Sequence, residues 1–384
     1  MKHKKHADIA KPGYGFFGRN EWSIVGTPCN NIKALSFTLT KYLSKKYKVA
    51  YVDADHAGAD AEEAQGRDPK SAMSYGAALE YTDKITHHRF DTEQKLDSFQ
   101  YRQWLYDTDV ILVNGNHFQA KRQIVVIDPK KEDSLKKRLH QLIDIQLIIL
   151  TEGMEDIYPF LKEQLPNYAN IPVLPFYETG KIAEFLEQEL QKTLPPLYGL
   201  VLAGGESKRM GQDKGGLDYH GKPQREYAAD LLSQFCEQTF ISTRPGQAVE
   251  SAYSLLEDKF LDLGPYGAIL SAFRQYPNAA WMVVACDLPL LDEIALQQLL
   301  DQRNRSKMAT AFHNPETDFP EPLITIWEPR AYPALLQFLA QGYSCPRKVL
   351  INSDIQLVEA QNPDALRNVN APEEHREILN LLRK

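Results

Sequence analysis

Residues 197–214 read LYGLVLAGGESKRMGQDK, an apolar run that ends in two glycines and continues into basic residues. This pattern is typical of a buried strand that leads into a glycine-rich loop. Gly204 and Gly205 carry no side chain, so a base or a phosphate can approach their main-chain N–H groups closely. Arg209 and Lys214 add positive charge for the phosphates. The stretch therefore predicts a nucleotide-binding loop, although its spacing matches neither G-x-x-x-x-G-K-[ST] nor G-x-G-x-x-G.

Length and composition restrict the class of protein. A chain of 384 residues predicts two domains, and a net charge of −7 argues against general nucleic-acid binding. No apolar run approaches the roughly 18 residues of a membrane helix, and the basic start lacks the apolar stretch of a signal peptide. The four cysteines are scattered without metal-ligand spacing. We therefore expect reduced thiols, a cytoplasmic location and no membrane partner.

A pair of prolines divides the chain. Pro195 and Pro196 cannot continue the helical pattern before them, so we expect a mobile basic tail over residues 1–19, one domain over 20–192 and a second over 193–384. Strand-like and helix-like segments alternate in both halves, which predicts two three-layer α/β domains with largely parallel sheets. Predicted strands cover 22–25, 48–52, 110–113, 124–127, 145–150, 197–203, 239–242 and 281–285; predicted helices cover 33–46, 131–142, 181–190, 226–237, 266–276 and 293–301.

Asp287 is the best candidate for a metal ligand. It follows the apolar run of residues 281–286, and a carboxylate at the carboxyl end of a buried strand lies where open α/β sheets bind ligands. It could hold Mg²⁺ against phosphate oxygens. Taken alone, it could equally be a turn or N-cap residue before Pro289.

Several motifs together resemble the nucleotidyltransferase family that includes the molybdenum cofactor guanylyltransferases (MobA-like proteins). The glycine-rich loop and the C-D-x-P stretch at Asp287 are two of these motifs. The further matches are Gly221-Lys222-Pro223, Asp258, Gly264-Pro265-Tyr266-Gly267, Glu321-Pro322-Leu323 and residues 368–374, NVNAPEE. The resemblance covers residues 197–380.

The resemblance implies a Rossmann-like domain that transfers GMP from GTP to molybdopterin and releases pyrophosphate. It implies that Leu202, Ala203, Gly204 and Gly205 contact the nucleotide and that Ser242 and Asp258 complete the base or ribose contacts. Lys214 and Arg209 would neutralise the phosphates, with Asp287 as the Mg²⁺ ligand. Asn370 would face the pterin. Arg347, in the basic stretch 345–348, could meet the pterin phosphate or belong to a solvated turn.

The chemistry agrees with this set of residues. The attacking phosphate monoester is largely dianionic at neutral pH, its second pKa being about 6, so no protein base is needed to activate it. The reaction needs charge neutralisation and in-line placement.

The base is expected to be guanine. Cytidylyltransferases that act on the same pterin typically carry L-A-A-G where this chain has LAGG at residues 202–205. The glycine lacks the methyl group of the alanine, which leaves room for a purine. We expect an alanine at Gly205 to weaken GTP more than CTP.

The first half resembles the MobB-like P-loop domain in a degenerate form. Counting from Gly26, the phosphate-loop pattern requires glycine, lysine and a hydroxyl residue at 31, 32 and 33, where asparagine, isoleucine and lysine stand instead. Asn114 occupies a position where an acidic residue is expected. Lys33 could still bind a phosphate anion. Asp53, Asp55 and His56 form either a metal site or a solvated, capping cluster.

Two other functions stay open. The chain could be a cytidylyltransferase or another nucleotidyltransferase of the same fold, or a non-catalytic scaffold that delivers the pterin cofactor. The retained Lys214 and Asp287 favour an enzyme, and molybdoenzymes or their chaperones are expected partners.

Overall fold

The computed structural model describes residues 7–54, 71–204, 214–315 and 317–382. They fall into two compact units. One spans residues 14–192, and the other combines the residues before 14 with those from 193 onward. No helix among the described residues is long and apolar enough to cross a membrane.

The segment expected as a tail through residue 19 is held at two points. The backbone N–H groups of Phe16 and Phe17 donate to the Glu21 carboxylate at 2.8 and 2.7 Å, and the Phe17 side chain is buried. Further back, the N–H of Gly13 donates to Asn278 Oδ1 at 2.7 Å. Residues 14–19 therefore belong to the first unit instead of preceding it, because the buried carboxylate at 21 orders them.

The first unit contains a six-stranded parallel sheet and a separate hairpin. Its strands are β1 (Glu21–Val25), β2 (Val49–Val52), β3 (Leu79–Asp83), β4 (His88–Thr92), β5 (Val110–Asn114), β6 (Arg122–Ile127), β7 (Ile145–Leu150) and β8 (Val173–Pro175). The sheet order is β2-β5-β1-β6-β7-β8, whereas β3 and β4 pair only with each other among the described residues. Its helices are α1 (Cys29–Leu43), α2 (Ser98–Leu105), α3 (Glu132–Lys137), α4 (Pro159–Gln164) and α5 (Thr179–Lys192).

Helices cover both faces of this sheet. Trp22 and Ile24 of β1 pack with α1 and α5, while Val25 packs with Leu135 of α3 and Leu161 of α4. Alternate side chains of one strand thus enter opposite layers, which gives the predicted three-layer α/β arrangement.

One predicted helix of this unit is interrupted. The helix expected over 131–142 ends at Lys137 and is followed by a 3₁₀ turn, Leu139–Gln141. Arg138 leaves the helical conformation and its guanidinium donates to the carbonyls of Gly115 and Asn116. This tertiary contact overrides the helical periodicity.

The second unit contains a seven-stranded mixed sheet. Its strands are β9 (Leu197–Leu202), β10 (Gln238–Thr243), β11 (Ser254–Glu257), β12 (Ala280–Ala285), β13 (Ala309–Asn314), β14 (Phe319–Trp327) and β15 (Gln356–Glu359). The order is β11-β10-β9-β12-β14-β13-β15, and β14 runs antiparallel to both neighbours. Its helices are α6 (Gln224–Ser233), α7 (Pro265–Gln275), α8 (Glu293–Asp301), α9 (Ala331–Ala340), α10 (Pro346–Ile351) and α11 (Pro372–Leu382).

Strand β12 is the centre of this core, and all six of its residues are buried. Met282 and Val284 pack with Leu232 of α6 and Leu296 of α8. On the opposite face Trp281 packs against aromatic rings, including Tyr198 with ring centroids 5.6 Å apart. The predicted Rossmann-like α/β class is thereby confirmed.

Strand order fixes where a ligand can enter. From β9 the chain proceeds outward through β10 to β11 and then returns to β12 on the other side of β9. This reversal opens a crevice at the carboxyl ends of β9 and β12, the usual ligand position in open α/β sheets.

Candidate functional site

The glycine loop and Asp287 leave the sheet side by side. Leu202 of β9 pairs with Ala285 of β12, and the N–H of Cys286 donates to the carbonyl of Leu202 at 3.3 Å. Beyond this pair the chain continues from β9 through Ala203 to Gly204, and from β12 through Cys286 to Asp287, at the same edge of the sheet. The side chain of Ala203 is buried and that of Leu202 is half-buried, so backbone is the part of these residues best placed to contact a ligand.

Lys214 lies between two acceptors at this edge. Its Nζ is 3.2 Å from Asp287 Oδ2 and donates to Asn370 Oδ1 at 2.6 Å. The side chains of Lys214 and Asp287 are 17% and 19% exposed, so the ion pair is largely shielded from water. The structure thus brings together three of the predicted residues from distant parts of the sequence, with the cation held in one place.

One oxygen of Asp287 has no donor among the described residues. This atom, Oδ1, is buried and accepts no hydrogen bond from that part of the chain. An unsatisfied buried acceptor costs about 1–3 kcal/mol, and more when it is charged. A cation or a ligand donor at this atom would remove that cost. The arrangement is therefore suited to charge stabilisation in a bound ligand.

The loop that carries Asn370 is tied to the same strand end. The N–H of Val369 donates to the Asp287 carbonyl at 2.8 Å. Glu374 Oε2 accepts the N–H groups of Asn370 and Ala371 at 2.6 and 3.1 Å, and these two bonds hold the pKa of Glu374 below its ordinary value. Glu374 thus fixes Asn370 as the acceptor for Lys214.

Two residues to which the sequence analysis gave no role of their own support this loop. Glu374 is one: it is the third residue of α11, which begins at a proline, and a glutamate at that position is a known helix-start signal. Tyr219 is the other, a buried ring packed with Val369 and Ile378. Burial, together with the nearby Asp287 charge, raises the pKa of Tyr219 to about 12, so its phenol stays neutral.

A second polar pair lies on the other side of β9, near the end of β10. The Ser242 hydroxyl donates to Asp258 Oδ1 at 2.9 Å, and the N–H of Asp258 donates to the Thr243 carbonyl at 2.9 Å. Burial raises the pKa of Asp258 from 3.8 to about 6. A methyl group on Gly204 would lie 3.5 Å from both Asp258 Oδ2 and Arg244 Cγ. Gly204 therefore borders the space between Asp258 and Arg244.

The three remaining predicted site residues are Gly205, Arg209 and Arg347. Gly205 and Arg209 lie outside the described residues. Arg347, at the start of α10, has Nη2 3.6 Å from Glu321 Oε2, and the Glu321 side chain is 5% exposed. Because β14 runs antiparallel to β12, Glu321 lies at the sheet edge where β12 ends. Arg347 thus has a structural partner near that edge.

The phosphate-loop position of the first unit is filled by its own side chains. The Thr27 hydroxyl donates to Asp128 Oδ2 at 2.6 Å and accepts from Asn31 Nδ2 at 3.0 Å. A methyl group on Gly26, whose φ is +96°, would lie 2.3 Å from the Val126 carbonyl oxygen. Lys33 is exposed. This loop therefore packs closely on β6 without presenting an open nest of donors.

Asp53 belongs to a hydrogen-bonded cluster at the end of β2. It accepts from the Tyr51 hydroxyl at 2.6 Å and from Asn114 Nδ2 at 2.7 Å. Although burial alone raises its pKa, these bonds and that of the Ala54 N–H keep it below the ordinary value. The predicted partners Asp55 and His56 lie outside the described residues. Within the described part of the chain, no three His, Cys, Asp or Glu residues are grouped so that they could hold a metal ion.

Comparison with known proteins identifies relatives of the second half. Residues 199–357 match the family model of the MobA-like NTP transferase domain. The chain is 37% identical over 187 residues to the molybdenum cofactor biosynthesis bifunctional protein of Synechocystis sp., covering 48% of this chain and 54% of that protein. It is 31% identical over 185 residues to a molybdenum cofactor guanylyltransferase of Pseudomonas putida, covering 47% of this chain and 96% of that protein. The matched region is thus about half of the Synechocystis protein and nearly all of the Pseudomonas one.

Two solved structures, each less than 25% identical in sequence, match a little under half of this chain. Molybdopterin-guanine dinucleotide biosynthesis protein A from Archaeoglobus fulgidus is 19% identical, with a TM-score of 0.42, and the match covers 49% of this chain and 98% of that one. MobB from Bacillus subtilis is 15% identical, with a TM-score of 0.33, and the match covers 44% of this chain and 97% of that one.

Proposed function

The chain belongs to the MobA-like NTP transferase family, and from that premise we propose that its C-terminal unit transfers GMP from GTP to molybdopterin and releases pyrophosphate. The observation that carries the proposal is the position of Lys214. Its ammonium group is held by Asp287 and Asn370 at the carboxyl end of β12. Phosphoryl chemistry needs fixed positive charge rather than a base, and this is what the arrangement supplies.

The acceptor needs no activation by the protein. A phosphate monoester is largely dianionic at neutral pH, so the residues have only to align it with the α-phosphate and neutralise the departing pyrophosphate. In this proposal Lys214 binds nucleotide phosphate oxygens, and Arg209, outside the described residues, adds a second cation. Asn370 orients Lys214 and faces the pterin, and Arg347 binds the pterin phosphate from its place beside Glu321.

Asp287 fits a magnesium ion. Mg²⁺ is usually held by one or two carboxylates together with substrate phosphates and waters, so a single aspartate with a free buried oxygen is a suitable protein ligand. When bound, the ion would neutralise charge on the triphosphate. The absence of a three-residue acidic or imidazole cluster in the described residues agrees with a site completed by substrate.

The proposal is tested by incubating the full chain with GTP, Mg²⁺ and molybdopterin, and measuring pyrophosphate and the dinucleotide product. We expect both products in equal amounts and GTP to be used in preference to CTP. Product from CTP alone would support a cytidylyltransferase, and tight pterin binding without pyrophosphate release would support a delivery scaffold. The free thiols of all four cysteines are compatible with the cytoplasmic location we propose.

Gly204 offers a test of base selectivity. When the L-A-A-G pattern of the cytidylyltransferases is aligned letter for letter, its second alanine falls on Gly204 rather than on Gly205. The added methyl group would stand 3.5 Å from Asp258 Oδ2, in ordinary contact with protein but within the space proposed for guanine. We expect Gly204→Ala to weaken GTP binding by about 1–3 kcal/mol and CTP binding by less. Calorimetric titration of both nucleotides measures this, and equal weakening would contradict the assignment.

Asp258 links nucleotide binding to pH. Because its pKa is raised, the folded protein binds the proton of the Asp258 carboxyl more tightly than the unfolded chain does. The stability that this proton contributes is therefore lost as pH rises from about 4 to about 6. Asp258→Asn is therefore expected to leave the melting temperature unchanged or higher at pH 7.5, and to lose that advantage below pH 4. The same variant should weaken GTP binding, and GTP affinity of the unmodified protein should fall as pH drops below 6. A variant that lost stability at pH 7.5 would contradict this reading.

For the first unit we propose a non-catalytic role in cofactor handover or partner docking. Its partners would be molybdoenzymes or their chaperones. Lys33 stands where a phosphate loop has its magnesium-binding hydroxyl, and the Thr27 hydroxyl at the start of the loop is bonded to Asp128 and Asn31. We expect residues 14–192, expressed alone, to fold without hydrolysing GTP or ATP above background, and residues 193–384 to retain transfer. Circular dichroism and phosphate release measure the first expectation. Robust hydrolysis by the first unit would show that its loop is functional.

A further inference from the structure

The segment that leads from Asp287 to α8 is held by its carbonyl groups. Residues 288–291 are leucine, proline, leucine and leucine, so only the backbone of this segment can form hydrogen bonds. Three side chains from one stretch of the chain, residues 220–227, donate to these carbonyls. We call the three side chains the carbonyl clamp. Its contacts are Gln224 Nε2 to Leu288 at 3.2 Å, His220 Nε2 to Pro289 at 2.8 Å and the Tyr227 hydroxyl to Leu291 at 3.3 Å.

A second contact fixes each donor of the clamp. Gln224 is 1% exposed, and its backbone N–H donates to the Leu217 carbonyl at 2.8 Å. The His220 ring stacks on the Tyr227 ring, with centroids 3.7 Å apart and an angle of 13° between the planes. A carbonyl oxygen can only accept, so His220 Nε2 must carry the hydrogen in its contact with Pro289. The clamp therefore consists of ordered donors.

The stretch that carries the clamp also carries Lys214. The N–H of Leu217 donates to the Lys214 carbonyl at 3.2 Å, and the N–H of Gln224 donates to the Leu217 carbonyl. These bonds tie Lys214 to the first residue of α6. On the opposite side, one peptide bond joins Asp287 to Leu288, whose carbonyl Gln224 holds. The contact between Lys214 Nζ and Asp287 Oδ2 thus closes a short ring of bonds, and the clamp forms the far side of that ring.

We propose that Gln224 and His220 are positioning residues for Asp287. Their bonds to two consecutive carbonyls hold the backbone of the segment, so that the Asp287 carboxylate stands against Lys214 and leaves Oδ1 for the proposed magnesium ion. The inference rests on the proposed function, since it assigns both residues to the same site. Replacing a group that orients a metal ligand commonly lowers metal affinity or activity by roughly 10–100-fold.

Two substitutions of His220 separate its hydrogen bond from its ring. His220→Phe keeps a ring against Tyr227 and removes the donor, whereas His220→Gln removes the ring and keeps an amide donor for Pro289. We expect His220→Phe to raise the Mg²⁺ concentration for half-maximal GMP transfer about tenfold, and to lower kcat more than it raises the KM for GTP. His220→Gln should stay close to the unmodified protein. The reverse order would overturn the role of the bond to Pro289.

Gln224→Met has a matched control in the same unit. Gln298 is also a buried glutamine, 9% exposed, and its Nε2 donates to the Glu359 carbonyl at 2.6 Å. Glu359 belongs to β15, and two strands lie between β15 and β12. Each substitution removes one buried amide donor, so Gln224→Met and Gln298→Met should both lower the melting temperature. Only Gln224→Met should also raise the Mg²⁺ concentration for half-maximal transfer, by about tenfold. An equal shift in the control would overturn the proposal, because Mg²⁺ dependence would then follow stability alone.

Hydrogen exchange in the free protein gives a readout that does not depend on catalysis. The N–H groups of Val369 and Leu291 donate to the carbonyls of Asp287 and Leu288, so their exchange rates report how firmly the segment is held. The two variants that remove a donor from the clamp should raise both rates at least about tenfold, and the control variant should leave them unchanged.

The two readouts separate failure of this inference from failure of the proposed function. If the unmodified protein makes no dinucleotide, the function proposed for the unit is wrong, and the exchange rates alone decide whether the clamp holds Asp287. Faster exchange in the two variants would then support the clamp, and unchanged exchange would overturn it. If the unmodified protein is active, faster exchange with an unchanged Mg²⁺ dependence would also overturn the proposal.

Discussion

Replacing Asp287 with asparagine is expected to lower the turnover number for GMP transfer by roughly a thousandfold or more, because the variant removes a negative charge that Lys214 contacts and the proposed magnesium ligand. The amide keeps the shape of the carboxylate, so the Asp287 carbonyl should still accept the N–H of Val369. The melting temperature should change little, since Oδ1 accepts no bond from the described residues and Lys214 keeps its hydrogen bond to Asn370. Steady-state kinetics at saturating Mg²⁺ and a thermal melt measure the two effects.

Asp292→Asn is the matched control for this substitution. Asp292 lies five residues further along the same segment and accepts the N–H of Ala295 as the N-cap of α8. Asparagine caps a helix about as well as aspartate does. This variant should therefore keep near-normal transfer. Near-normal transfer by Asp287→Asn as well would contradict the role of Asp287 as the magnesium ligand.

The sequence predicted the elements that form the crevice because their signals are local. Residues 197–203 and 281–285 are continuous apolar runs, and each is followed by polar or glycine residues at the strand end. In the structure the strands end at Leu202 and Ala285, and these two residues are partners in the register between them. Periodicity cannot show that β9 and β12 are neighbours, which depends on packing across the whole sheet.

Three of the unpredicted strands, β14, β3 and β4, escaped prediction for identifiable reasons. Strand β14 contains Pro320 and Pro322 near its start, and prolines weaken a strand signal because they donate no ladder hydrogen bond. In β3 and β4 the apolar residues face solvent, so the hairpin lacks the inward apolar pattern on which the prediction relies. The prolines of β14 and the outward apolar residues of β3 and β4 can be placed in strands only when the neighbouring strands are known.

The contacts within the site required the structure. Lys214 and Asn370 are 156 residues apart, and their hydrogen bond depends on the loop that Glu374 stabilises. The family resemblance indicated that both residues belong to the site, whereas it could not indicate that one orients the other. Likewise, the raised pKa of Asp258 follows from burial in the fold and has no signature in the sequence.

Replacing Lys214 with methionine is expected to lower the turnover number by roughly a hundredfold or more and to raise the KM for GTP, because the side chain keeps much of its length and loses its charge. Lys214→Arg should restore little activity, since the planar guanidinium cannot take the place of a compact ammonium between Asp287 Oδ2 and Asn370 Oδ1. Lys307→Met is the control. Lys307 is paired with Asp354 outside this group, so its loss should leave transfer nearly unchanged.

The double variant Lys214→Met/Asp287→Asn shows whether the two residues act on the same charge. If both stabilise the same phosphate oxygens in the transition state, the second substitution removes little that the first has left, and the combined loss in kcat/KM should be clearly smaller than the product of the single losses. Independent roles would give a loss equal to that product. Kinetics of the four proteins at one Mg²⁺ concentration completes the cycle. A fully multiplicative result would mean that the Lys214–Asp287 contact of 3.2 Å is structural, and that the two groups serve separate steps.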